Sequence, residues 1–515
     1  MIKKLKFLVI SILLGNFTFS QVPAIQWQKA FGGSYDDLAY AMQPTSDGGY
    51  ILAGSNGYNN GDVTVNYGGI DAWIVKIINA GTIQWQKSLG GTKLDSAHDI
   101  KVTSDGGYIM AGSSYSNDGI VTGNHGSSDF WVVKLNNTGG VQWQKLLGGS
   151  SGDYAESIQQ TTDGGYIVVG ESLSNDGDVS GHHQASNINN PDYWIVKLSS
   201  TGSLQWQKSL GGIGYDSPSS VIQTFDGGYI VVGSSTSNDG NASGNHGSSD
   251  AWIVKLNSAG NVQWQKMLGG SNSDGLYSIF QTSDGKYILA GSSSSSNGDV
   301  YENHGGSDAW VVIMDSSGII QGEKSFGGSG DDTAFIIRQT SDGNYILCGN
   351  SYSNDGEVSG NHGNADIWVL KLNSNTGDLL WQKSLGGTKY DSAKSIFQST
   401  DGAYFLSGST MSKDGDVTGN HGNYDMWLVK LNPDNLSTNE ITAKNMVLVE
   451  NPVKNTLNIH FKENILALQL FSTDGKLIRT SNNKNMQVSD LPKGNYLLTI
   501  KLENGKTVSE KIIKE

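Results

Sequence analysis

Cysteine is nearly missing from this 515-residue chain. Cys348 stands alone, which excludes any disulfide within the chain. Its equivalents in the repeat described below are Ala53, Ala111, Val169, Val232, Ala290 and Ser407, so the position reads as a small core site, not a reactive thiol. Arginine is limited to Arg338 and Arg479. After the first twenty residues no apolar run approaches the ~20 residues a membrane-spanning helix requires, so no transmembrane segment is expected. A basic patch is lacking too. Residues 21–435 hold 20 Lys and Arg against 41 Asp and Glu, residues 436–515 hold 11 against 8, and the whole chain carries a net charge of -15. So acidic a body is a poor partner for nucleic acid or an anionic membrane.

The first twenty residues run from a basic start (Lys3, Lys4, Lys6) through the apolar stretch 7–14 to the small residues Thr18 and Ser20. That is the pattern of a secretory signal peptide. Cleavage after Ser20 leaves Gln21 first, and with no Cys there no lipid attachment is expected at that terminus. The expected location is secreted or on the outer cell surface.

Repetition fills most of what remains. A D-x-W motif recurs at Trp73, Trp131, Trp194, Trp252, Trp310, Trp368 and Trp427, at intervals of 58, 63, 58, 58, 58 and 59 residues. The Trp of W-Q-K forms a second series at Trp27, Trp85, Trp143, Trp206, Trp264 and Trp381, with Gly322 in the empty slot. A period of this length carrying only strand and turn signals reads as a β-propeller or β-solenoid. In one unit, "DYAESIQQT", the turn "TDGG" and "YIVVGES" form one antiparallel hairpin, and "DYWIVKLSSTGSLQWQKSLGG" forms a second, turning near Thr201 and Gly202.

Side-chain alternation orders the four strands. Leu204, Trp206 and Leu210 alternate with Gln205, Gln207 and Ser209, as on a half-exposed rim strand, whereas "YIVVG" is apolar on both faces. Small residues at Ala39, Ala97, Ala155, Ala334 and Ala393, with Pro218 and Leu276 as departures, suit the strand where the blades converge. The chain opens on a rim strand, and its seventh D-x-W strand has none after it. "AIQWQKAF" is therefore expected to pair with "DMWLVKLN" and close the ring, since an open propeller would leave two exposed edges. The expected fold is all-β: a seven-bladed propeller of four-stranded blades closed by the N-terminal strand, followed by a small C-terminal β-sandwich. The expected domains are a signal peptide (1–20), the propeller (21–431), a linker (432–440) and a C-terminal domain (441–515).

The strand order and the Asp-Gly turn of the first hairpin resemble WD-repeat propellers, although the Gly-His before the inner strand is absent and the loop between second and third strands is long. The second hairpin, as in "LKLNSNTGDLLWQKS", is similar to the Trp-docking repeat of quinoprotein propellers. Both resemblances imply fold and transfer no activity. From 441 onward the composition changes. Asn451, Pro452 and Val453, an Asp474-Gly475 turn, Leu491, Pro492, Gly494 and Tyr496, and a Lys-rich tail ending near Lys514 occur in order. This set resembles the C-terminal sorting domain of the type IX secretion system of Bacteroidetes, with Glu450 in place of the usual Pro. The resemblance implies recognition by that secretion machinery and export across the outer membrane.

The loops between second and third strands emerge on the same side as the segments joining successive blades, so that face is the candidate binding surface for a glycan or protein ligand. Its candidate residues are Asp176, Asp178, His182, His183, Asn187, Asp355, His362, Asp414, Asp416 and His421. The loop histidines diverge with the blades and cannot converge on one metal ion, so a repeated structural contact near each D-x-W strand is the competing reading. Asp176 with Asp178, and Asp414 with Asp416, offer oxygen ligands to calcium, but a full EF-hand register is missing and turn-forming Asp-Gly explains the same residues. No other cofactor is expected. A further ring (Asp37, Asp95, Asp153, Asp216, Asp274, Asp332 and Asp391) opens the inner strands. It lines a cation-attracting mouth, or each carboxylate accepts N–H bonds from its own turn.

Two arginines exclude the three-Arg carboxylate clamp of sialidases, and no G-x-S-x-G or H-E-x-x-H motif occurs. The reading carried forward is a non-catalytic binding or structural module. The alternative is an extracellular carbohydrate-active enzyme, a glycosidase or lyase, with the blade-three insertion 182–191 as the suspect site.

Overall fold

A computed structural model describes residues 22–183, 190–434, 448–449, 452–460, 465–472, 476–502 and 507–515. The expected signal peptide, Asn187, Asn451 and the Asp474-Gly475 turn lie outside the described residues. The chain divides into two compact units, a body over 22–434 and a C-terminal unit within 435–515.

Seven four-stranded antiparallel sheets make up the body. Six are consecutive in sequence, spanning 38–89, 95–147, 153–210, 216–268, 274–326 and 332–385 (blades 1 to 6). The seventh joins residues 391–431 to the strand Ile25–Phe31, which pairs with Asp425–Leu431 in the register Ile25↔Leu431 to Phe31↔Met426. The expected closure is thus present. Asn432 extends it by donating from its backbone N to the Ala24 carbonyl at 2.9 Å.

Burial follows the strand order. Both middle strands of blade 1, Tyr50–Asn56 and Asp71–Ile77, are buried throughout, because each is covered on both faces by neighbouring blades. One apolar cluster joins Ile51, Ala53 and Ile74 of blade 1 to Ile100, Met110 and Trp131 of blade 2, and similar clusters lie at the other blade junctions. The core is therefore a ring of seven inter-blade layers. Cys348 sits in one of them, and burial pushes its thiol up, as an inert core residue requires.

The paired motifs now have a cause. A buried indole N–H needs an acceptor, and the Gln of W-Q-K provides it. Trp73 donates to Gln86 Oε1 and Trp252 to Gln265 Oε1, both at 2.9 Å. In blade 7 the acceptor is Gln28 of the closing strand, 2.7 Å from Trp427 Nε1. Blade 5, where Gly322 replaces the outer Trp, uses Glu323 Oε2 at 3.0 Å. At the opposite end of the blade the buried Lys76 donates to Asp47 Oδ1 at 3.0 Å. Burial opposes the charged form of Asp47, but bonds from Thr45, Lys76 and Gly49 outweigh it and hold this carboxyl at about 2.

The edges of the inner strands are sealed between blades. Backbone N–H groups of Ile158 and Ile337 are received by Asp99 Oδ2 (3.0 Å) and Ser278 Oγ (3.3 Å) of the preceding blade. Blade 1 carries Ala41 at the equivalent position, and there Asp99 Oδ1 takes its own neighbour's N–H, Ile100, at 2.8 Å.

In the C-terminal unit, a three-stranded and a four-stranded sheet share one core of Val453, Leu457, Leu468, Leu470, Leu498, Ile500 and Ile512. Val453 bonds from its backbone N to the Ile513 carbonyl at 2.8 Å, bringing the N-P-V segment against the tail strand beside Lys514. Tyr496 Oη donates to the Pro492 carbonyl at 2.9 Å, which fixes the L-P-x-G-x-Y turn, and Leu491 packs on the core. Among the described residues no helix is long and apolar enough to cross a membrane.

Candidate functional site

On the loop face the candidate residues are engaged inside their own blades. Asp176 Oδ1 accepts the Ser150 N–H at 2.7 Å and Asp178 Oδ2 accepts that of Gly148 at 3.4 Å. Asp355 takes the Ser329 N–H at 2.7 Å, Asp414 that of Thr388 at 2.8 Å and Asp416 that of Gly386 at 3.3 Å. These oxygens point at N–H donors of the Gly-Gly turn ahead of the inner strand, so each loop is stapled to the strand entry. His183, His362 and His421 bond through Nδ1 to Asp192, Asp366 and Asp425 of their D-x-W motifs, at 2.7, 2.6 and 2.8 Å. His182 is buried, with Nε2 2.9 Å from the Asn190 carbonyl. Among the described residues no group of three or more His, Cys, Asp or Glu is placed to hold a metal ion.

The inner-ring carboxylates are buried rather than lining a mouth. Asp153 accepts the Gly149 N–H at 2.9 Å and the Ser174 hydroxyl at 2.9 Å, and Asp95, Asp216, Asp274, Asp332 and Asp391 repeat both contacts. Asp37 takes the Gly33 N–H at 2.6 Å. Each faces the D-x-W Asp of the preceding blade across one glycine. A Cβ on Gly148 would lie 2.5 Å from Asp153 Oδ2 and 2.8 Å from Asp129 Oδ1, so only glycine lets the two acids close. Burial first, then the neighbouring carboxylate, raises Asp37, Asp71, Asp153 and Asp216 to about 6.

The axis is different. All seven inner strands border a cavity of about 800 Å³. The fourth residue counted from each ring Asp lines it: Tyr40, His98, Glu156, Ser219, Tyr277, Phe335 and Lys394 in blades 1 to 7. One wall, from blades 2 and 3, is polar. His98 Nδ1 lies 3.2 Å from Glu156 Oε1, its Nε2 lies 3.0 Å from Ser96 Oγ, and the Tyr40 ring stands 5.1 Å from the imidazole. Burial works against the charged imidazole, but Glu156 outweighs it and raises the His98 pKa.

Blades 5 to 7 supply a cationic and aromatic wall. Lys394 Nζ sits 3.4 Å from the centroid of Phe335, which itself lies 5.5 Å from Tyr277, and the Arg338 guanidinium stands 5.1 Å from Phe397. Burial pushes Lys394 down to about 8 and lowers Arg338 as well. Among the described residues neither cation has an ion-pair partner, and the buried Arg338 Nε has no hydrogen-bond partner.

The axial residues were not singled out from sequence, although a signal existed. Aligned on the ring Asp, the third column is small and the eighth is mostly Gln, while the fourth holds six residue types in seven units. Of the candidate site residues, only the ring aspartates stand at the start of the strands that carry this column.

Residues 451–515 match the family described as a secretion system C-terminal sorting domain. No curated protein matches the chain. Among solved structures it is similar to the quinohemoprotein alcohol dehydrogenase from Comamonas testosteroni (9% identity, 80% of this chain and 78% of that one, TM-score 0.41). It is also similar to the Neurospora crassa Pan2 WD40 domain (9%, 78% and 95%, TM-score 0.39) and to a puromycin hydrolase (10%, 96% and 63%, TM-score 0.45). The C-terminal segment is a sorting domain of the type IX secretion kind, and the protein that carries it is exported, to the medium or the cell surface.

Proposed function

We propose that the propeller body is a non-catalytic binding module for glycans, with the axial cavity as its receptor site and the loop face as the frame that holds the inner strands in place. The single observation supporting this reading is the contrast between columns. A sevenfold scaffold repeats many of its contacts, and the inner-strand column that departs furthest from the repeat borders a cavity within the ~300–1,000 Å³ typical of small-ligand sites. Tyr277 and Phe335 offer flat faces to a sugar's C–H surface, and His98, Glu156 and Ser219 offer hydrogen-bonding groups to its hydroxyls. The test is retention of the full chain on a glycan array. Tyr277→Ala with Glu156→Gln is expected to abolish retention while Asp355→Asn leaves it. Retention that survives the axial pair, or no retention by the native chain, removes the reading.

One observation favours an extracellular carbohydrate-active enzyme instead. Ser96, His98 and Glu156 stand in the order nucleophile, base and acid, at 3.0 and 3.2 Å. On that reading the chain deacylates sugar esters, and Ser96→Ala abolishes release of p-nitrophenol from its acetate. A native chain without turnover on that ester sinks the alternative.

A further inference from the structure

We propose that the occupant of the axial cavity is an acidic sugar, a uronate-type residue whose carboxylate is received by Arg338 and Lys394. This rests on the cavity being the receptor site and adds the chemical class of the ligand.

Both cations are part-buried in the cavity wall, with no carboxylate within ion-pair distance among the described residues. That stands out in a body holding twice as many acids as bases, where the buried lysines of the blades find a partner. Lys76, Lys134, Lys197, Lys255, Lys371 and Lys430 each meet an Asp. A part-buried charge without an ion-pair partner is stabilised when an anion arrives. The two residues come from adjacent blades and border one cavity, and Arg338 still has its buried Nε to offer a carboxylate.

The remaining walls narrow the choice among anions. Inorganic phosphate or acetate would use the cations and make no contact with the rings of Phe335, Tyr277 and Phe397, which border the same cavity. An aromatic acid would use cations and rings, and leave Gln43 and Glu156 Oε2, which accept no hydrogen bond among the described residues, without a donor. A sugar acid satisfies all three. Its carboxylate meets the cations, its C–H face meets the rings, and its hydroxyls reach the acceptors on blades 1 and 3.

Calorimetric titration of the full chain with glucuronate, glucose, benzoate and inorganic phosphate tests this. Glucuronate is expected to bind at least tenfold more tightly than the other three, as charge-assisted hydrogen bonds require. Arg338→Gln and Lys394→Met are each expected to weaken glucuronate by tenfold or more and to leave glucose unchanged, with melting curves showing that both variants fold. Equal binding of glucose and glucuronate overturns the acidic class while leaving the receptor reading intact. Benzoate or phosphate binding as tightly as glucuronate overturns the sugar. If glucuronate binds but neither substitution weakens it, the placement at Arg338 and Lys394 is wrong. Failure of all four probes, together with a blank glycan array, takes down the receptor reading as well.

Discussion

At the rim of the propeller, six D-x-W indoles are received by a Gln and the seventh by a Glu, whereas at the axis seven equivalent positions carry Tyr, His, Glu, Ser, Tyr, Phe and Lys. Both sets belong to the same sheets. The rim residues are repeated because each blade solves the same local problem, a buried donor that must be met. Axial residues share one space, so identical side chains there would be sevenfold like charges or a sevenfold clash, and divergence is the way to build a polar interior.

That comparison can be broken in several places. The largest effect is expected from deleting residues 22–31, which strips the acceptor from Trp427 and opens an edge on blade 7. Its thermal melting should fall by more than that of any point variant, and an unchanged melting curve would refute the closure. Next comes Trp252→Ala, a fully buried rim indole, expected to cost ~3–5 kcal/mol in urea unfolding. The axial Tyr277→Ala should cost ~1 kcal/mol or less. Equal losses would erase the distinction between frame and site. Lys394→Met, which removes an unpaired cation, should leave stability unchanged or raise it slightly at neutral pH.

The smallest effect concerns pH. The junction acids Asp37, Asp71, Asp153 and Asp216, raised to about 6, bind more protons folded than unfolded, so their contribution is present at low pH and is lost as pH rises through about 6. Asp47, Asp105, Asp163 and Asp226, held at about 2, act in the opposite sense, and their contribution is lost as pH falls through about 4 and toward 2. Melting should therefore be highest near pH ~4, and lower at pH ~7.5 than at pH ~5. Asp71→Asn, which keeps an acceptor for the Tyr67 N–H and removes one charge facing Asp95, should flatten the decline between those values. A melting temperature that climbs from pH 5 to 7.5 would contradict the paired acids.

Blade number, strand order and closure were legible because two Trp motifs recur at nearly fixed spacing and the chain opens on the rim strand that its last unit lacks. The sorting segment was legible from four short motifs in order. The candidate site was not, for two physical reasons. Asp176, Asp414 and their neighbours look like ligands because turn-forming acids and calcium-binding acids are the same residues, and only coordinates reveal that an N–H lies opposite. His98 and Glu156 are 58 residues apart on neighbouring strands, a pairing that no local spacing announces. Their mark in the sequence is variation within a repeat, since the fourth residue of the inner strand takes six identities in seven units.

The pairing of Ile25–Phe31 with Asp425–Leu431 also orders events in time. During synthesis or threading through a membrane from the N-terminus, the first strand of the body must wait some four hundred residues for its partner. Until then blade 7 is an unfinished sheet and the chain stays an open, pliable arc. A body that latches only when its last strand arrives cannot close early, and a cut just upstream of Asp425 would leave six blades made and none of them enclosed.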